Sequence, residues 1–429
     1  MRRNGNRWLC RRVLAGALTV LLVAGIAACG GKAASDQKNV ETAQSAEAGG
    51  EASAQSANSS GSGFQQAGSG QSGSEVSAAL VWSDMKPERS MELSYAKQFS
   101  VDYYAGGYEL IQVQDDSTYL TVPEGAAVPE GLPASITVLQ KPLDHVYLAA
   151  TSAMDLIAAL GRVDRITLSG TKESGWYVEA AKKAMEGGTL SYAGKYSAPD
   201  YEQILSSGCD LALESTMIYH VPDVKAQLEQ LKVPVFVERS SYEAHPLGRM
   251  EWIRLYGVLF DEEEKADQLF QEQADQLDAV LADQPTGKTV AFFYITSNGA
   301  VNVRKPGDYV AKMIELAGGS YVPQTASADE NALSTMNMQM ETFYAEAKNA
   351  DCLIYNSTID GELQTLDELL QKSPLLADFK AVKEGNVWCT GKNMFQETMG
   401  LGTMILDIHE ILAENAPEEA SLHYLHRLR

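Results

Sequence analysis

Residues 246–283 read PLGRMEWIRLYGVLFDEEEKADQLFQEQADQLDAVLAD, and this stretch decides the fold. Pro246 suits a first helical turn, and no other proline follows until Pro285. The apolar residues recur at close to helical spacing, at Leu247, Met250, Ile253, Leu255, Leu259, Phe260, Leu269, Leu277 and Leu281. The pattern predicts one α-helix over 246–283, roughly 50 Å long. Only Gly257 speaks against it. A helix of that length indicates a rigid rod between two lobes.

Strand and helix patterns alternate on both sides of this predicted helix. Continuous apolar runs, typical of buried parallel strands, occur at 145–149, 165–168, 211–213, 235–237, 289–295, 353–355 and 387–388. Helical patterns lie between them. The sequence therefore predicts an α/β protein of two ligand-binding lobes, at 91–243 and 287–415, whose mostly parallel sheets are flanked by helices and joined by one long α-helix.

The two predicted lobes repeat one local pattern. Glu202 opens a helical pattern and precedes Asp210 and an apolar strand, while Glu341 does the same before Asp351. Two such sequences on either side of a long helix indicate two related lobes.

The amino-terminal residues have the pattern of an export signal. Five arginines, at Arg2, Arg3, Arg7, Arg11 and Arg12, precede the apolar run 13–28, which is too short to span a membrane comfortably. The run ends in Ile26-Ala27-Ala28-Cys29, which matches the bacterial lipobox. We expect residues 1–28 to be a lipoprotein signal peptide and Cys29 to carry the lipid, although an ordinary signal peptide with an incidental cysteine is the alternative.

Residues 29–77 are rich in Gly, Ser, Ala, Gln and Glu, and Phe64 is their one aromatic residue. Such a segment cannot bury enough apolar surface to offset its chain entropy, so it predicts a disordered tether. We therefore expect a protein held at the extracytoplasmic face of the cell membrane through its lipid anchor.

The charge and the cysteine content of the chain narrow the range of binding partners and exclude a disulfide-rich fold. Removal of the predicted signal peptide takes away five of the 34 basic residues and no acidic residue. The remaining chain has 29 basic and 57 acidic residues, which gives a net charge of −28. Nucleic acid and anionic lipid are poor partners for such a surface. Beyond Cys10 and Cys29, only Cys209, Cys352 and Cys389 remain, which is not a disulfide framework. We expect small buried thiols, although a disulfide between two of them is not excluded.

No catalytic or metal-binding motif is present. The sequence lacks a Gly-x-Ser-x-Gly elbow, a Walker A loop, a His-Glu-x-x-His pair and a paired-cysteine zinc pattern. Within the lobes, only His145, His220 and His245 lie away from the closing helical pattern, too few for a dedicated metal site. His423 and His426 are predicted to lie on a frayed terminal helix. We therefore expect neither an enzyme nor a bound cofactor or metal.

The chain resembles the solute-binding lipoproteins of ABC transporters, in the class that binds ferric siderophores, haem and cobalamin and has one long helix between its lobes. The resemblance is carried by the segments PDYEQIL (199–205), EAHPLGRMEWI (243–253), GDYVAKMIELAGG (307–319) and Met340-Glu341. It implies a receptor that delivers its ligand to an ABC permease dimer with its ATPase. We expect an iron complex as the ligand and a monomeric protein. A cobalamin or haem receptor is the alternative within the class; a divalent-metal receptor or a secreted enzyme on the same scaffold lies outside it.

The resemblance also implies which residues meet the permease. In that family, one acidic residue per lobe, near the start of a surface helix, docks into arginine pockets, and Glu202 and Glu341 occupy these positions. The helix dipole stabilises such a carboxylate. The alternative is that both are ordinary first-turn acids.

Ligand-binding residues are expected just after the strands, where the two lobes face each other. Aromatic faces suit a bulky ligand, and local cations suit an anionic chelate. The candidates are Trp176, Tyr177, Tyr196, Tyr219, Arg239, His245, Asn298, Arg304, Asn356, Lys392 and Phe395. His245 is either a haem or metal ligand or a helix-start residue bonded to the nearby backbone.

Overall fold

A computed structural model describes residues 80–281, 285–324, 335–413 and 422–429. The chain divides into two units, Met1–Ser74 and Glu75–Arg429, and every described residue belongs to the second. The predicted signal peptide, the lipidation site Cys29 and the whole predicted tether lie outside the described residues.

A five-stranded sheet precedes the first lobe. Its strands are β1 (Pro87–Ser90), β2 (Phe99–Tyr104), β3 (Tyr108–Val113), β4 (Thr118–Val122) and β5 (Ile136–Gln140), in that order across the sheet. The sequence analysis did not predict this separate sheet. Four strands are antiparallel, whereas β5 runs parallel to β4. Apolar spacing identifies single strands but does not specify such non-local pairing.

The first lobe has an all-parallel sheet covered by helices, as predicted. Its elements are β6 (Val146–Leu148), α1 (Ala153–Ala159), β7 (Ile166–Ser169), α2 (Glu179–Glu186), β8 (Ser191–Tyr192), β9 (Gly194–Lys195), β10 (Ala198–Pro199), α3 (Tyr201–Ser206), β11 (Leu211–Ser215), α4 (Pro222–Gln230) and β12 (Val235–Glu238). The strand order is β12-β11-β6-β7-β8, and β9 and β10 form a separate hairpin.

The predicted single helix over 246–283 is wrong in its bounds, because three helices occupy the range. They are α5 (Pro246–Glu251), α6 (Ile253–Leu259) and α7 (Glu263–Leu281). The main break lies at Asp261, whose positive φ of 56° ends the helical path. A Cβ at Gly257 would lie 2.8 Å from Cβ of Ala266, so glycine permits α7 to pack closely against α6. The apolar spacing continues through the break, which is why it predicts one helix.

Helix α7 still connects the two lobes. At its start Lys265 donates to the carbonyl of Leu160 in the first lobe, and farther along Leu277 approaches Gly402 in the second. Its 19 residues give a length of about 28 Å. The connection between the lobes is therefore helical, and shorter than expected.

The second lobe repeats the α/β pattern with a mixed sheet. Its elements are β13 (Thr289–Ile295), β14 (Val301–Arg304), α8 (Tyr309–Leu316), β15 (Ser320–Val322), β16 (Thr335–Met338), α9 (Met340–Ala347), β17 (Cys352–Tyr355), α10 (Ser357–Asp360), α11 (Leu366–Lys372), α12 (Lys380–Glu384), β18 (Val387–Thr390), α13 (Leu401–Leu412) and β19 (Leu425–Arg427). The order is β16-β14-β13-β17-β18-β19, with β15 also beside β13.

Strand β19 corrects the expectation for the carboxyl end. The segment with His423 and His426 was predicted as a frayed helix, but His426 pairs with Cys389 of β18 in antiparallel register. The sheet therefore extends beyond the predicted lobe boundary at residue 415. Its closing strand is too short for periodicity to identify.

One hydrophobic core joins the first lobe, helices α5–α7 and the second lobe, where α8 and α13 contribute. The other faces of the two lobe sheets have cores of their own. Cys352 and Cys389 are buried free thiols and Cys209 is half-buried, with no disulfide among these three. None of the helices in the described part of the chain has both the length and the apolar composition that a membrane span requires.

Candidate ligand-binding site

The second lobe has a small cavity of about 180 Å³. Tyr294 of β13 faces Asn302 of β14, and Arg304 lies two residues farther along the same face of the sheet. The full lining is Tyr294, Asn302, Arg304, Thr335, Asn356, Thr358, Ile359 and Phe395. The structure thus brings together three predicted ligand residues, Arg304, Asn356 and Phe395.

Arg304 is the cation of this cavity. Its side chain is 14% exposed, and Nη1 lies 3.5 Å from Asp308 Oδ2, a long contact. Its guanidinium carbon lies 5.1 Å from the ring centroid of Phe395 and 5.9 Å from that of Tyr309. A guanidinium among aromatic rings in a largely dry site binds anions more strongly than one in water.

Asn356 has a local structural role as well as a place in the cavity wall. It directly follows β17, and its Oδ1 accepts hydrogen bonds from the backbone N–H and the hydroxyl of Thr358. It therefore caps α10, and its amide nitrogen is the part left for a ligand.

The segment after β18 joins the cavity to the first lobe. Directly after Phe395, the Gln396 side chain accepts from the N–H of Tyr177 at 2.7 Å and donates to the carbonyl of Gly175 at 2.8 Å. The N–H of Met399 donates to Asp155 of α1. Burial raises the pKa of Asp155 to about 6. The cavity wall is therefore tied directly to the opposing lobe.

Replacing Gln396 by alanine is expected to lower the free energy of unfolding by about 1–2 kcal/mol, because two hydrogen bonds between the lobes are lost. Urea denaturation measures this loss. The matched control is Gln268→Ala, which removes an exposed amide that bonds to Glu272 on the same helix. We expect this variant to lower the free energy of unfolding by about 0.5 kcal/mol or less. Equal losses in the two variants would show that the contact between the lobes adds nothing.

The first-lobe candidates fall into two groups. Trp176 was predicted to contact the ligand, but it is a core residue, 1% exposed, whose indole N–H donates to Ser169. Tyr177 is half-buried at the contact with Gln396. Tyr196 is half-buried in the turn between β9 and β10. An aromatic residue next to a strand is apolar enough to join the core, which is why residue type alone misplaces Trp176.

Tyr219 and Arg239 form a polar cluster with the amino-terminal sheet. The Tyr219 hydroxyl donates to Asp115 at 2.5 Å, and the Arg239 guanidinium donates to Gln98 at 3.4 Å. Burial acts to raise the pKa of Asp115, but hydrogen bonds from Tyr219 and Ser117 outweigh it and lower the pKa. Both candidates therefore already have partners in the extra sheet.

Two other candidates, Asn298 and Lys392, lie apart from the cavity lining. Asn298 is in an exposed turn, where its side chain bonds to Thr296 and Ala300. Lys392 begins the short turn that leads to Phe395 and is half-buried.

His245 is a helix-start residue bonded to the nearby backbone, which is the second of the two environments expected for it. Its Nδ1 accepts the N–H of Leu247 at the start of α5, and its ring stacks on Tyr95 with centroids 4.7 Å apart. Burial lowers its pKa to about 4, so the imidazole is neutral at physiological pH. Among the described residues, no group of three or more His, Cys, Asp or Glu side chains is arranged to hold a metal ion.

Glu202 and Glu341 occupy equivalent places in the two lobes. Each is exposed in the first turn of its helix, α3 or α9. Beside Glu202, a shallow groove between α3 and α4 includes Leu205, which is 45% exposed, and Asp223.

Sequence reasoning missed two residues next to the cavity residue Arg304: Tyr309 of α8, whose ring centroid lies 5.9 Å from the Arg304 guanidinium carbon, and Arg249 of α5, which contacts the same ring. The guanidinium carbon of Arg249 lies 4.0 Å from the Tyr309 ring centroid. The available signal was an arginine within an apolar helical segment, which is unusual unless the charge has a partner.

Two α/β lobes connected by helices, with a polar and aromatic cavity next to their contact, define a solute-binding protein. The family model described as periplasmic binding protein matches residues 146–394, more than half of the chain, and the chain belongs to this family. Its members bind solutes and are not enzymes, in agreement with the sequence analysis.

Individual proteins are similar to this chain in sequence or in fold. An uncharacterized lipoprotein of Methanocaldococcus jannaschii is 24% identical over 364 residues, which cover 77% of this chain and 84% of that protein. A possible iron-binding periplasmic solute-binding protein of Staphylococcus epidermidis has a similar fold, with a TM-score of 0.50 and 14% identity over 63% of this chain and 99% of that one. A periplasmic heme-binding protein of Vibrio cholerae also has a TM-score of 0.50, with 19% identity over 62% of this chain and 98% of that one. These similarities in structure establish the fold.

Proposed function

We propose that this protein is the extracytoplasmic substrate-binding lipoprotein of an ABC importer. It captures a ferric siderophore-type iron complex and delivers it to a permease dimer with its ATPase. The cavity with Arg304, Asn356 and Phe395 is the observation that carries the proposal, because it offers one cation and an aromatic face next to the contact between the lobes. An anionic, bulky chelate matches both features.

The location and the choice of ligand have further support. The lipobox ending at Cys29 and the lipoprotein relative support a membrane anchor outside the cytoplasm. The two similar structures are described as a possible iron-binding protein and a heme-binding protein. The proposed ligand, a ferric complex, also contains iron. The scarcity of metal-ligating clusters in the described residues speaks against a free divalent cation as the ligand.

Titration with tryptophan fluorescence tests the proposal. Trp176 directly precedes Tyr177, whose N–H bonds to Gln396 across the contact between the lobes, so we expect the tryptophan emission of the protein to change when a ligand binds there. We expect saturable quenching by a ferric complex and none by zinc. Tighter binding of cobalamin or haem would assign the protein to that alternative within the class. A protein that binds none of these ligands would contradict the proposal.

The double variant Glu202→Lys, Glu341→Lys is expected to abolish uptake of the ligand while changing the Kd by less than about twofold, because exposed carboxylates pair with permease arginines and lie outside the cavity. The measurement combines transport into cells with titration of the purified protein. The matched control reverses two exposed glutamates at helix ends, Glu186 and Glu384. Uptake that survives the first pair, or is equally lost in the second, would contradict the docking assignment.

A further inference from the structure

Arg249 is a buried cation that has no direct acceptor among the described residues. The residue is 7% exposed, and its Nε is fully buried without a hydrogen bond. Within the described ranges its guanidinium has neither a hydrogen bond nor an ion pair, and its close contact is the Tyr309 ring at 4.0 Å. An uncompensated buried charge costs several kcal/mol. A protein retains such an arrangement most readily where a ligand supplies the missing anion.

Glu238, whose carboxyl group is influenced by the charge of Arg249, does not fill this role. Glu238, at the end of β12, is fully buried, and its two carboxylate oxygens accept from the N–H of Ser240 and the hydroxyl of Ser152. Burial raises the pKa of Glu238, while the charge of Arg249 acts in the opposite direction. The two groups therefore attract each other at a distance, without a direct contact.

A second cation lies beside the same aromatic ring. The guanidinium carbon of Arg304 lies 5.9 Å from the Tyr309 centroid, and Arg304 forms part of the cavity wall. Its contact with Asp308 is long, at 3.5 Å. Two arginines thus lie beside one tyrosine, and among the described residues only the Asp308 carboxylate contacts either of them directly. In a protein this acidic, such a local excess of positive charge is suited to an anionic ligand.

We propose that Arg249 and Arg304 together bind a carboxylate group of the ligand, so that the site at the cavity selects iron complexes with free carboxylates over iron complexes without them. This inference rests on the proposed function and narrows its ligand class. The planar guanidinium forms two parallel hydrogen bonds with a carboxylate, and Tyr309 holds both arginines through cation–π contacts. Binding satisfies donors that have no acceptor in the described structure.

The test uses three probes: ferric citrate and haemin, which carry carboxylates, and a ferric trihydroxamate without them. We expect the wild-type protein to bind a carboxylate probe at least about tenfold more tightly than the trihydroxamate. Arg304→Gln and Arg249→Lys should each raise the Kd of the protein for that carboxylate probe by about tenfold or more. Tighter binding of ferric citrate would identify a carboxylate-type chelator as the source of the carboxylate, and tighter binding of haemin would identify a porphyrin side chain as the source.

Controls separate this inference from the fold and from the proposed function. Lys312→Gln removes a charge from α8, where Lys312 pairs with Glu315, and should leave all three Kd values unchanged. Circular dichroism checks folding, and Arg304→Gln alone carries the test if Arg249→Lys unfolds. Tight binding of only the trihydroxamate retains the proposed function and overturns this inference. Equal weakening of all probes by Arg304→Gln also overturns it, and failure of the wild type to bind any probe contradicts both.

Discussion

Replacing Glu214 by glutamine should stabilise the protein by about 3 kcal/mol at pH 7. Glu214 is fully buried on β11, and both of its carboxylate oxygens are without a hydrogen bond in the described structure. Burial raises its pKa from 4.5 to about 8. At pH 7 the native state must therefore hold a proton that the unfolded chain releases, and glutamine avoids this cost.

The pH dependence follows from the direction of this shift. Between pH 4.5 and 8 the native state binds more protons at Glu214 than the unfolded state, so the free energy of unfolding falls as the pH rises. Below pH 4.5 both states are protonated, and the advantage of glutamine disappears. Tyr147 and Tyr201 lie near Glu214, but both are neutral phenols over this range and do not offset its charge.

Urea denaturation at pH 4, 7 and 8 measures the effect. The matched control is Glu88→Gln on the exposed edge strand β1, for which we expect a change within about 0.5 kcal/mol at every pH. If Glu214→Gln changed stability equally at pH 4 and pH 8, Glu214 would not be a buried neutral acid in the native state.

Replacing Glu251 by alanine should lower the free energy of unfolding by about 3–5 kcal/mol. The carboxylate of Glu251 is fully buried and accepts the backbone N–H groups of Ser94, Tyr95 and Ala96 at 2.7–2.8 Å. Without it, these donors lose their acceptor. Arg254, whose Nη1 lies 3.3 Å from Glu251, also loses an ionic partner.

Glu243 extends the same contact to the next two residues. Its carboxylate accepts the N–H groups of Lys97 and Gln98 and the indole N–H of Trp252. Two carboxylates thus hold five consecutive amides of the segment before β2 against the start of the connecting helices. Loss of Glu251 should therefore release the amino-terminal sheet as well as lower global stability.

Chemical denaturation measures the stability loss, and amide hydrogen exchange at residues 94–96 measures the local release. Glu251→Gln keeps the shape and one acceptor oxygen, so we expect an intermediate loss. Glu264→Ala on α7 removes an exposed glutamate and should change stability by less than about 1 kcal/mol. A loss below 1 kcal/mol in Glu251→Ala would show that this segment is held by other contacts.

The strands were the most predictable part of the fold. The apolar runs predicted at 289–295 and 353–355 correspond to Thr289–Ile295 and Cys352–Tyr355, because a buried parallel strand is apolar along its whole length. The helix break at Asp261 was not predictable in this way. It depends on the pairing of Asp261 with Lys141 and on close packing at Gly257, which are tertiary contacts.

The candidate site was predictable only in part. Arg304, Asn356 and Phe395 follow predicted strands in the second lobe, and they share one cavity. Arg249 was missed because two helices (α6 and α7) and two strands (β13 and β14) separate α5 from α8 along the chain. Nothing local in the sequence places it against Tyr309.

The α/β class, the two lobes and the helical connection were predictable from local apolar spacing, which each segment carries independently of the others. Membership of a solute-binding class was predictable from the resemblance carried by segments 199–205, 243–253 and 307–319 and by Met340-Glu341. The tertiary structure alone decided the extra sheet, the break at Asp261 and the meeting of Arg249 with Tyr309. Such contacts join residues far apart in the chain, as Glu251 and Tyr95 do across 156 positions. Their energies arise only when the whole chain has packed, so no local pattern encodes them.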